Sequence, residues 1–537
     1  MTDYQQFAFS EMRSECRSFS VNLTFSVSTF ACEKIISIMR KKLFISSLMT
    51  LLSLLPVHAQ GGLRPRGDID CDWEVTIADA NALIEAIMKG TPYHAFYTYA
   101  LDVNSDKEIN IADLNMLTDG LLGSDMPPMP NYSGTLPILF INTENHCDIV
   151  SKEEYVNACW WLDAMGIEGC ESVGSAEEPF GMLIKGHGHY TWTDCDKKSL
   201  RLKFNEKHKV LGIPSSRHWV LKANALNWKG KIEDALPFEI GRRMGLAWTP
   251  RQEPVEVVLN GQYIGMYFLL EKINVSKNRV NIVEQKDNET DLTKVTGGWL
   301  LEIDNYWEPG QIIIDDNNDG VIRFTPHSPE LLSDVQRNYI TAFLDATDDA
   351  IAAEDKADTS WEQYIDIDSL AIYYLVQEVV DNQEAFSGSC YMHKEHGDNT
   401  KLIFGPLWDC DHSFFRYGNG YYFNKFIYED LPSNWHSIWI GEIAKFPRFQ
   451  ERVRAYWNTF YTTVYPEMDG FMDSWAARIE EAGNADFVRW PQYNGNNTTQ
   501  RLNAYGKKAF HQKVEWLNSQ WSTQQPSNDA PGFNQKK

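Results

Sequence analysis

The spacing of apolar positions changes along this chain and divides it into three stretches. In the first, residues 63–124, apolar side chains recur at helical spacing after each of two polar loops: Ala82, Leu83, Ile84, Ala86 and Ile87, then Leu114, Leu117, Leu121 and Leu122. That spacing predicts two short helices. Asp125-Met126-Pro127-Pro128-Met129-Pro130 follows, and its proline density predicts a stiff linker and a boundary over 125–134. In the second stretch, short apolar runs predict strands at Leu136–Ile141, Gly181–Lys185, Leu200–Phe204, Trp219–Lys222 and Trp299–Ile303. A helix is predicted over Lys231–Met244. Val255–Leu259, Asn260-Gly261 and Tyr263–Leu270 predict a hairpin, because Asn and Gly both accept the positive φ of a two-residue type I′ turn. From Asp366 helical spacing takes over, with a hairpin-like break between Cys390 and Trp408 and further helices over Ile438–Val464, Phe471–Glu481 and Thr499–Gln520. Strand-rich sequence followed by helix-rich sequence predicts an α+β body of two lobes over residues 135–520. The polar tail, 521–537, predicts disorder.

The segment ahead of these stretches follows a different logic. Met39-Arg40-Lys41-Lys42 is basic, Leu43 to Leu55 is apolar, and Val57-His58-Ala59 offers small residues for cleavage. This order is that of a secretory signal peptide over 39–59, too short to remain as a membrane span. It makes residues 1–38 a mis-called upstream extension and the mature chain one without a transmembrane segment. An exported chain meets oxidising surroundings, so Cys71, Cys147, Cys159, Cys170, Cys195, Cys390 and Cys410 are candidates for pairing. The four between 147 and 195 could form two bridges. Their spacing matches no zinc site, and the odd total leaves at least one thiol.

Composition narrows the partners. A 43 % hydrophobic chain of 537 residues can bury large cores. Its net charge of −25, from 74 acidic against 49 basic residues, excludes nonspecific nucleic-acid binding and disfavours an anionic membrane surface. Part of the acid is concentrated in two loops of one pattern. The first places Asp68, Asp70, Asp72, Thr76 and Asp79 at loop positions 1, 3, 5, 9 and 12; the second places Asp102, Asn104, Asp106, Asn110 and Asp113 there. This spacing wraps a hard cation in oxygen atoms, as EF-hand loops do, and predicts two bound Ca²⁺ ions. The twelfth residue falls in the first turn of the following helix, where its charge also complements the helix dipole.

The paired loops resemble a type I dockerin, the calcium module that plugs secreted enzymes into cohesin-bearing scaffolds. The resemblance implies a small all-α module whose partner is a cohesin-like or cell-surface scaffold. It departs at the sixth loop position, usually Gly. Trp73 and Lys107 stand there and must take a strained or left-handed backbone.

The remainder resembles the CotH family, secreted proteins related to a spore-coat protein with an atypical protein-kinase-like fold. Gly181-Met182-Leu183-Ile184-Lys185-Gly186-His187-Gly188 with Thr191-Trp192 matches its glycine-rich segment. Lys197, Lys198, Leu200, Arg201, Leu202 and Lys203 match the strand that follows. Asn260-Gly261-Gln262-Tyr263, Gly265-Met266-Tyr267 and Glu271-Lys272 match its hairpin, and Gly405-Pro406-Leu407-Trp408-Asp409-Cys410-Asp411 matches its aspartate motif. The resemblance implies a two-lobed domain that binds ATP with Mg²⁺ and phosphorylates a protein acceptor. It implies Gly186 and Gly188 near phosphate, Lys198 or Lys203 holding phosphates, Glu271 pairing with a lysine, and Asp409 and Asp411 holding metal. Glu384 or Asp381 would be the base. Two residues apart, Asp409 and Asp411 would project to one side if extended.

Several positions depart from the family pattern. Glu384 stands for an aspartate, Ser389 for an asparagine, His189-Tyr190 for Asn-Ser, and Glu233-Asp234 for Arg-Asn. A catalytically degenerate binding or surface scaffold protein is therefore the alternative. An accessory role in extracellular polysaccharide degradation is a second, inferred from the dockerin-like repeat. Trp160, Trp161, Trp299 and Trp307 could stack on sugars but read more simply as core packing. The chain holds no Gly-x-Ser-x-Gly, His-Glu-x-x-His or Walker lysine motif.

Overall fold

The structure, a computed structural model, describes residues 63–89, 98–106, 108–126, 130–225, 231–317, 320–414, 424–429, 431, 438–493 and 497–522. The segments read as upstream extension (1–38) and signal peptide (39–59) lie outside them. So do Lys107 and most of the polar tail.

Residues 63–126 carry helices α1 (Ile77–Lys89), α2 (Thr98–Leu101) and α3 (Ile111–Leu121), and no strand among the described residues. They meet over Ala80, Leu83, Leu101, Val103 and Leu117. Asn110 caps α3: its side chain accepts the Ala112 N–H, and Asp113 reaches back to the cap backbone.

The next strands are β1 (Ile138–Thr143), β2 (Val156–Asp163), β3 (Phe180–His187), β4 (Ser199–Val210), β5 (Ile213–Lys222), β6 (Gln252–Leu259) and β7 (Gln262–Glu271). Helix α4 (Tyr190–Asp194) follows β3, and α5 (Ala235–Met244) lies between β5 and β6. The seven strands close into a barrel in the order β1-β2-β3-β4-β5-β7-β6, sealed by a parallel pair between β1 and β6. Leu139, Ile141, Ile184, Leu202, Trp219, Leu221, Val257 and Leu269 fill it, and Trp160 stacks on Phe204 with ring centroids 4.0 Å apart. The Asn260-Gly261 turn takes φ of 50° and 74°, as its sequence predicts. Helix α5 ends on Gly245 in the left-handed conformation, whose N–H closes onto Gly241 and Arg242.

Beyond the barrel come β8 (Trp299–Ile303), β9 (Ile312–Asp315), β10 (Val321–Ser328), α6 (Asp334–Ile351), α7 (Ile367–Val379), β11 (Cys390–Lys394) and β12 (Ile403–Phe404). Helices α8 (Ile440–Ile443), α9 (Pro447–Thr459), α10 (Tyr465–Arg489) and α11 (Thr499–Trp521) complete the body. The strands form a second sheet, β12-β11-β8-β10-β9. Sequence spacing predicts β8 but not β2, β9, β10 or α6. Every residue of β7 is buried, because Ile264 and Leu269 enter the barrel while Phe268 stacks on Trp475 of α10. Asp486 of α10 fastens this packing. It lies 2.7 Å from Lys197 Nζ and 3.1 Å from Lys231 Nζ, with all three groups buried, and it accepts the Met266 N–H of β7. All seven cysteines among the described residues are unpaired. Among those residues no helix is long and apolar enough to cross a membrane.

Candidate functional site

A cleft opens where the outer face of β3, β4 and β5 meets the turn after β12. His187, Gly188, Ser199, Lys222, Glu233, Trp408, Asp409 and Asp411 line it. The space among them, about 560 Å³, includes the open mouth. Lys222 is the last residue of β5, and the strand's alternation sends it outward while Leu221 enters the barrel. Its ammonium is 2.5 Å from Asp234 Oδ2 and 2.6 Å from Asp409 Oδ1. Asp234, fully buried just before α5, also accepts the Cys410 N–H at 2.8 Å. One lysine thus ties the barrel, α5 and the aspartate turn together. The Lys222 pKa is raised well above the ordinary value: burial pulls it down, but the Asp234, Asp409 and Asp411 charges outweigh that.

The carboxylates around this lysine respond unequally. Burial pushes Asp409 up, yet Lys222, by charge and hydrogen bond, brings it below the usual range. Asp411 is driven well above that range by burial first and by the Asp409 charge second. Glu384 reaches about 7 for the same two reasons, with a lowering contribution from the Asn305 amide, which donates to its Oε1 at 2.9 Å. Glu384, Asp411 and His412 each offer a donor atom, and these atoms lie within 4.8 Å of one another. Crowded acids with raised pKa values favour a cation or a proton between them: the carboxylate oxygens suit a hard divalent metal or a shared proton, and the His412 nitrogen is a poorer ligand for such a metal.

Other residues singled out in the sequence have other surroundings. Asp409 and Asp411 do not extend along a strand: Asp409 has a φ of 49° and Asp411 begins a turn, so the two carboxylates reach the cleft by a bend and take separate partners. Gly186 faces Trp192 rather than a ligand, since a Cβ there would stand 2.4 Å from the indole; Gly188 does line the cleft. Lys198 Nζ donates to the Trp192 carbonyl. Lys203 lies on β4 opposite His218, away from the cleft-lining set. Glu271 pairs with Arg279, not with a lysine, and both are buried. Asp381 is fully buried 2.8 Å from Lys513 Nζ of α11, which also holds Glu378 at 3.1 Å. A carboxylate so enclosed cannot receive a proton from an incoming hydroxyl. Lys222, Asn305 and His412, which the sequence did not single out, also stand at this cluster, as does Asp234, noted there only as a departure from the family pattern. The available signal was a lysine closing the apolar run Trp219-Val220-Leu221.

In the repeat, Asp79 accepts N–H groups from Ile69, Asp70 and Thr76 at 2.6, 3.1 and 2.8 Å. Asp68, Asp70 and Asp79 place oxygens within 4.8 Å of one another. Asp72 accepts the Glu74 N–H, and Thr76 Oγ1 accepts that of Ala78. In the second loop Asp113 accepts N–H groups from Asn104 and Asn110, and the Asp106 N–H donates to Asp102 and Asn104. Trp73 takes the left-handed backbone expected at the sixth position, with φ 73°. Burial raises the Asp68 pKa from its usual value against the pull of Arg64. Its Oδ1 is buried without a hydrogen bond, an oxygen set suited to calcium.

Comparison with known proteins agrees with both regions. The family model described as Dockerin type I domain matches residues 66–122. A search of curated proteins finds no match. The model described as CotH kinase protein matches residues 184–524, which takes in the barrel from β3 onward, the second sheet and the cleft between them. This chain belongs to the CotH kinase protein family and carries a type I dockerin domain ahead of its CotH domain.

Proposed function

We propose that the protein is exported, binds calcium through its dockerin domain, and transfers a phosphoryl group from ATP to a protein hydroxyl outside the cytoplasm. The observation that carries this reading is Lys222 held between Asp234 and Asp409, with Asp411, Glu384 and His412 grouped beside them. Phosphoryl transfer asks the protein chiefly for positioning and charge. Lys222 supplies the cation for phosphate oxygens, with Asp234 fixing its direction. Asp409 and Asp411 would hold Mg²⁺, which supplies charge neutralisation on the nucleotide when bound. Glu384, near 7 and oriented by Asn305, takes the proton of the acceptor hydroxyl. The barrel and the helical body play the parts of the two lobes.

The dockerin domain supports a cohesin-like or cell-surface scaffold as attachment partner. Radiolabel transfer from ATP tests the catalytic reading. If the purified chain labels neither itself nor a generic protein acceptor, and Asp409→Ala leaves nucleotide binding unchanged, the domain is a binding module instead. Glu384 in place of the family's aspartate is the feature that favours that second outcome, since a displacement of about 1 Å can cost on the order of 100-fold in rate.

A further inference from the structure

The calcium repeat is fastened to the barrel at both of its ends. On the way in, Leu63 packs with Ile138, Phe140, Trp161 and Val258 on the barrel's outer surface. The Arg64 N–H donates to the Gly261 carbonyl at 2.7 Å, in the turn between β6 and β7. Gly261 has φ 74°, and a Cβ there would stand 2.3 Å from Arg64 Cγ and 2.9 Å from the Trp73 ring. Only glycine admits so close an approach. On the way out, the Ser133 and Gly134 N–H groups and the Ser133 hydroxyl donate to Glu256 of β6 at 2.7, 3.0 and 2.9 Å. Tyr132 joins the cluster around Leu63.

Between these anchors lies the first calcium loop. Arg64 is 3 % exposed. Its Nη1 donates to the Asp68 carbonyl at 3.2 Å and lies 3.6 Å from Asp68 Oδ2, which also accepts the Trp73 N–H at 3.1 Å. Asp68 Oδ2 is therefore held by Arg64 and the Trp73 N–H. Oδ1 is buried with no hydrogen-bond partner, and Asp68, Asp70 and Asp79 converge. We infer that the Gly261 turn of the barrel is part of the first calcium site. It fixes Arg64, Arg64 orients Asp68, and calcium binding and packing of the repeat on the barrel stabilise each other. Groups that orient a metal ligand commonly account for 10- to 100-fold in affinity, and such a coupling is reciprocal. The second loop is held by Arg66, whose Nη1 donates to the Val103 carbonyl and the Ser105 hydroxyl.

This inference rests on the calcium reading of the loops, and hydrogen exchange on the full chain separates the two. With CaCl₂ in place of chelator, exchange slows about fivefold or more in peptides covering 68–79 and also in those covering 131–135 and 256–263. Trp73 belongs to the first loop, so the part of the tryptophan-excited terbium luminescence that is lost in Trp73→Phe reports that site. Arg64→Gln weakens terbium binding about tenfold and abolishes the slowing at 256–263. Should that variant not fold, Trp73→Ala removes the packing on Gly261 without touching the guanidinium and must diminish the same slowing. Protection of 68–79 with none at 256–263 would overturn the coupling and leave calcium binding intact. No calcium-dependent protection anywhere would remove both.

Discussion

Replacing Lys222 by methionine tests the centre of the site. The side chain is 13 % exposed and serves two carboxylates of different character: Asp234 is 0 % exposed and Asp409 is 42 % exposed. Losing the Asp409 contact costs under about 1 kcal/mol, since water screens that partner. Losing the Asp234 contact leaves a buried charge with one remaining hydrogen bond, from Cys410. Orphaned buried charges cost about 3–5 kcal/mol, and the surviving bond sets the lower end here, about 3 kcal/mol. That is roughly a hundredfold in the folded-to-unfolded ratio. The double variant Lys222→Met, Asp234→Asn removes the orphaned charge and recovers about 2 kcal/mol of the loss. Urea unfolding followed by circular dichroism reads the stabilities, and titration calorimetry reads Mg²⁺-ATP binding. Both variants lose nucleotide affinity at least tenfold, so recovered stability without recovered binding separates the two roles of the lysine. The reasoning fails if Lys222→Met unfolds at the wild-type midpoint, or if the double variant is less stable than the single.

Glu384, lifted to about 7 by burial and then by Asp409, holds its proton at lower pH and cannot accept another. The rate of phosphoryl transfer therefore rises with pH up to about 7 and levels off, and Glu384→Gln removes that limb; an unchanged pH profile would assign the base elsewhere. Lys513→Met removes the buried cation shared by Glu378 and Asp381, both 0 % exposed, while Glu378 keeps the Ile427 N–H, and lowers stability by about 3 kcal/mol in denaturant titration. Asp381→Asn destabilises as well, while the pH profile of transfer keeps its wild-type midpoint, which is the mark of a positioning role. Asp148 is raised to about 6 by burial, with Oδ1 lacking a hydrogen bond. Its folded pKa exceeds the unfolded value, so it costs nothing below about pH 4 and destabilises progressively as pH rises through 6. Asp148→Asn adds on the order of 1 kcal/mol at pH 7 after allowance for solvent screening, and nothing at pH 3, by thermal unfolding at the two pH values.

Local chemistry made some elements legible and long-range pairing concealed others. The Asn260-Gly261 turn and β8 follow from a few adjacent residues, and the structure places β8 on the residues predicted for it. Strand β10 hides because Pro326 interrupts an alternating run, a residue that normally argues against a strand. Helix α6 is diluted by Asp334, Asp345, Asp348 and Asp349, although its Ser333 and Gln336 capping box stood in plain view. The cleft shows the same division. Lys222 meets Asp409 across 187 residues, a pairing no local pattern announces. Glu271 was misread for a matter of parity: it belongs to the inward row of β7 with Arg279. The next residue, Lys272, turns the other way, its Nζ 5.7 Å above the Trp408 ring at the edge of the cleft.

The parallel seam that closes the barrel sets a schedule for biosynthesis. Ile138 of β1 lies beside Glu256 of β6, so β1 emerges from the ribosome with one neighbour nearby and the other roughly 120 residues behind. At about 5–20 residues per second, the wait is on the order of 6–24 s. Throughout it, Ile138-Leu139-Phe140-Ile141 presents an unsatisfied, wholly apolar strand edge, the kind that recruits other chains. Fragments ending short of Leu259 leave this edge open and are expected to associate through it, whereas fragments that include β6 close the seam and are not.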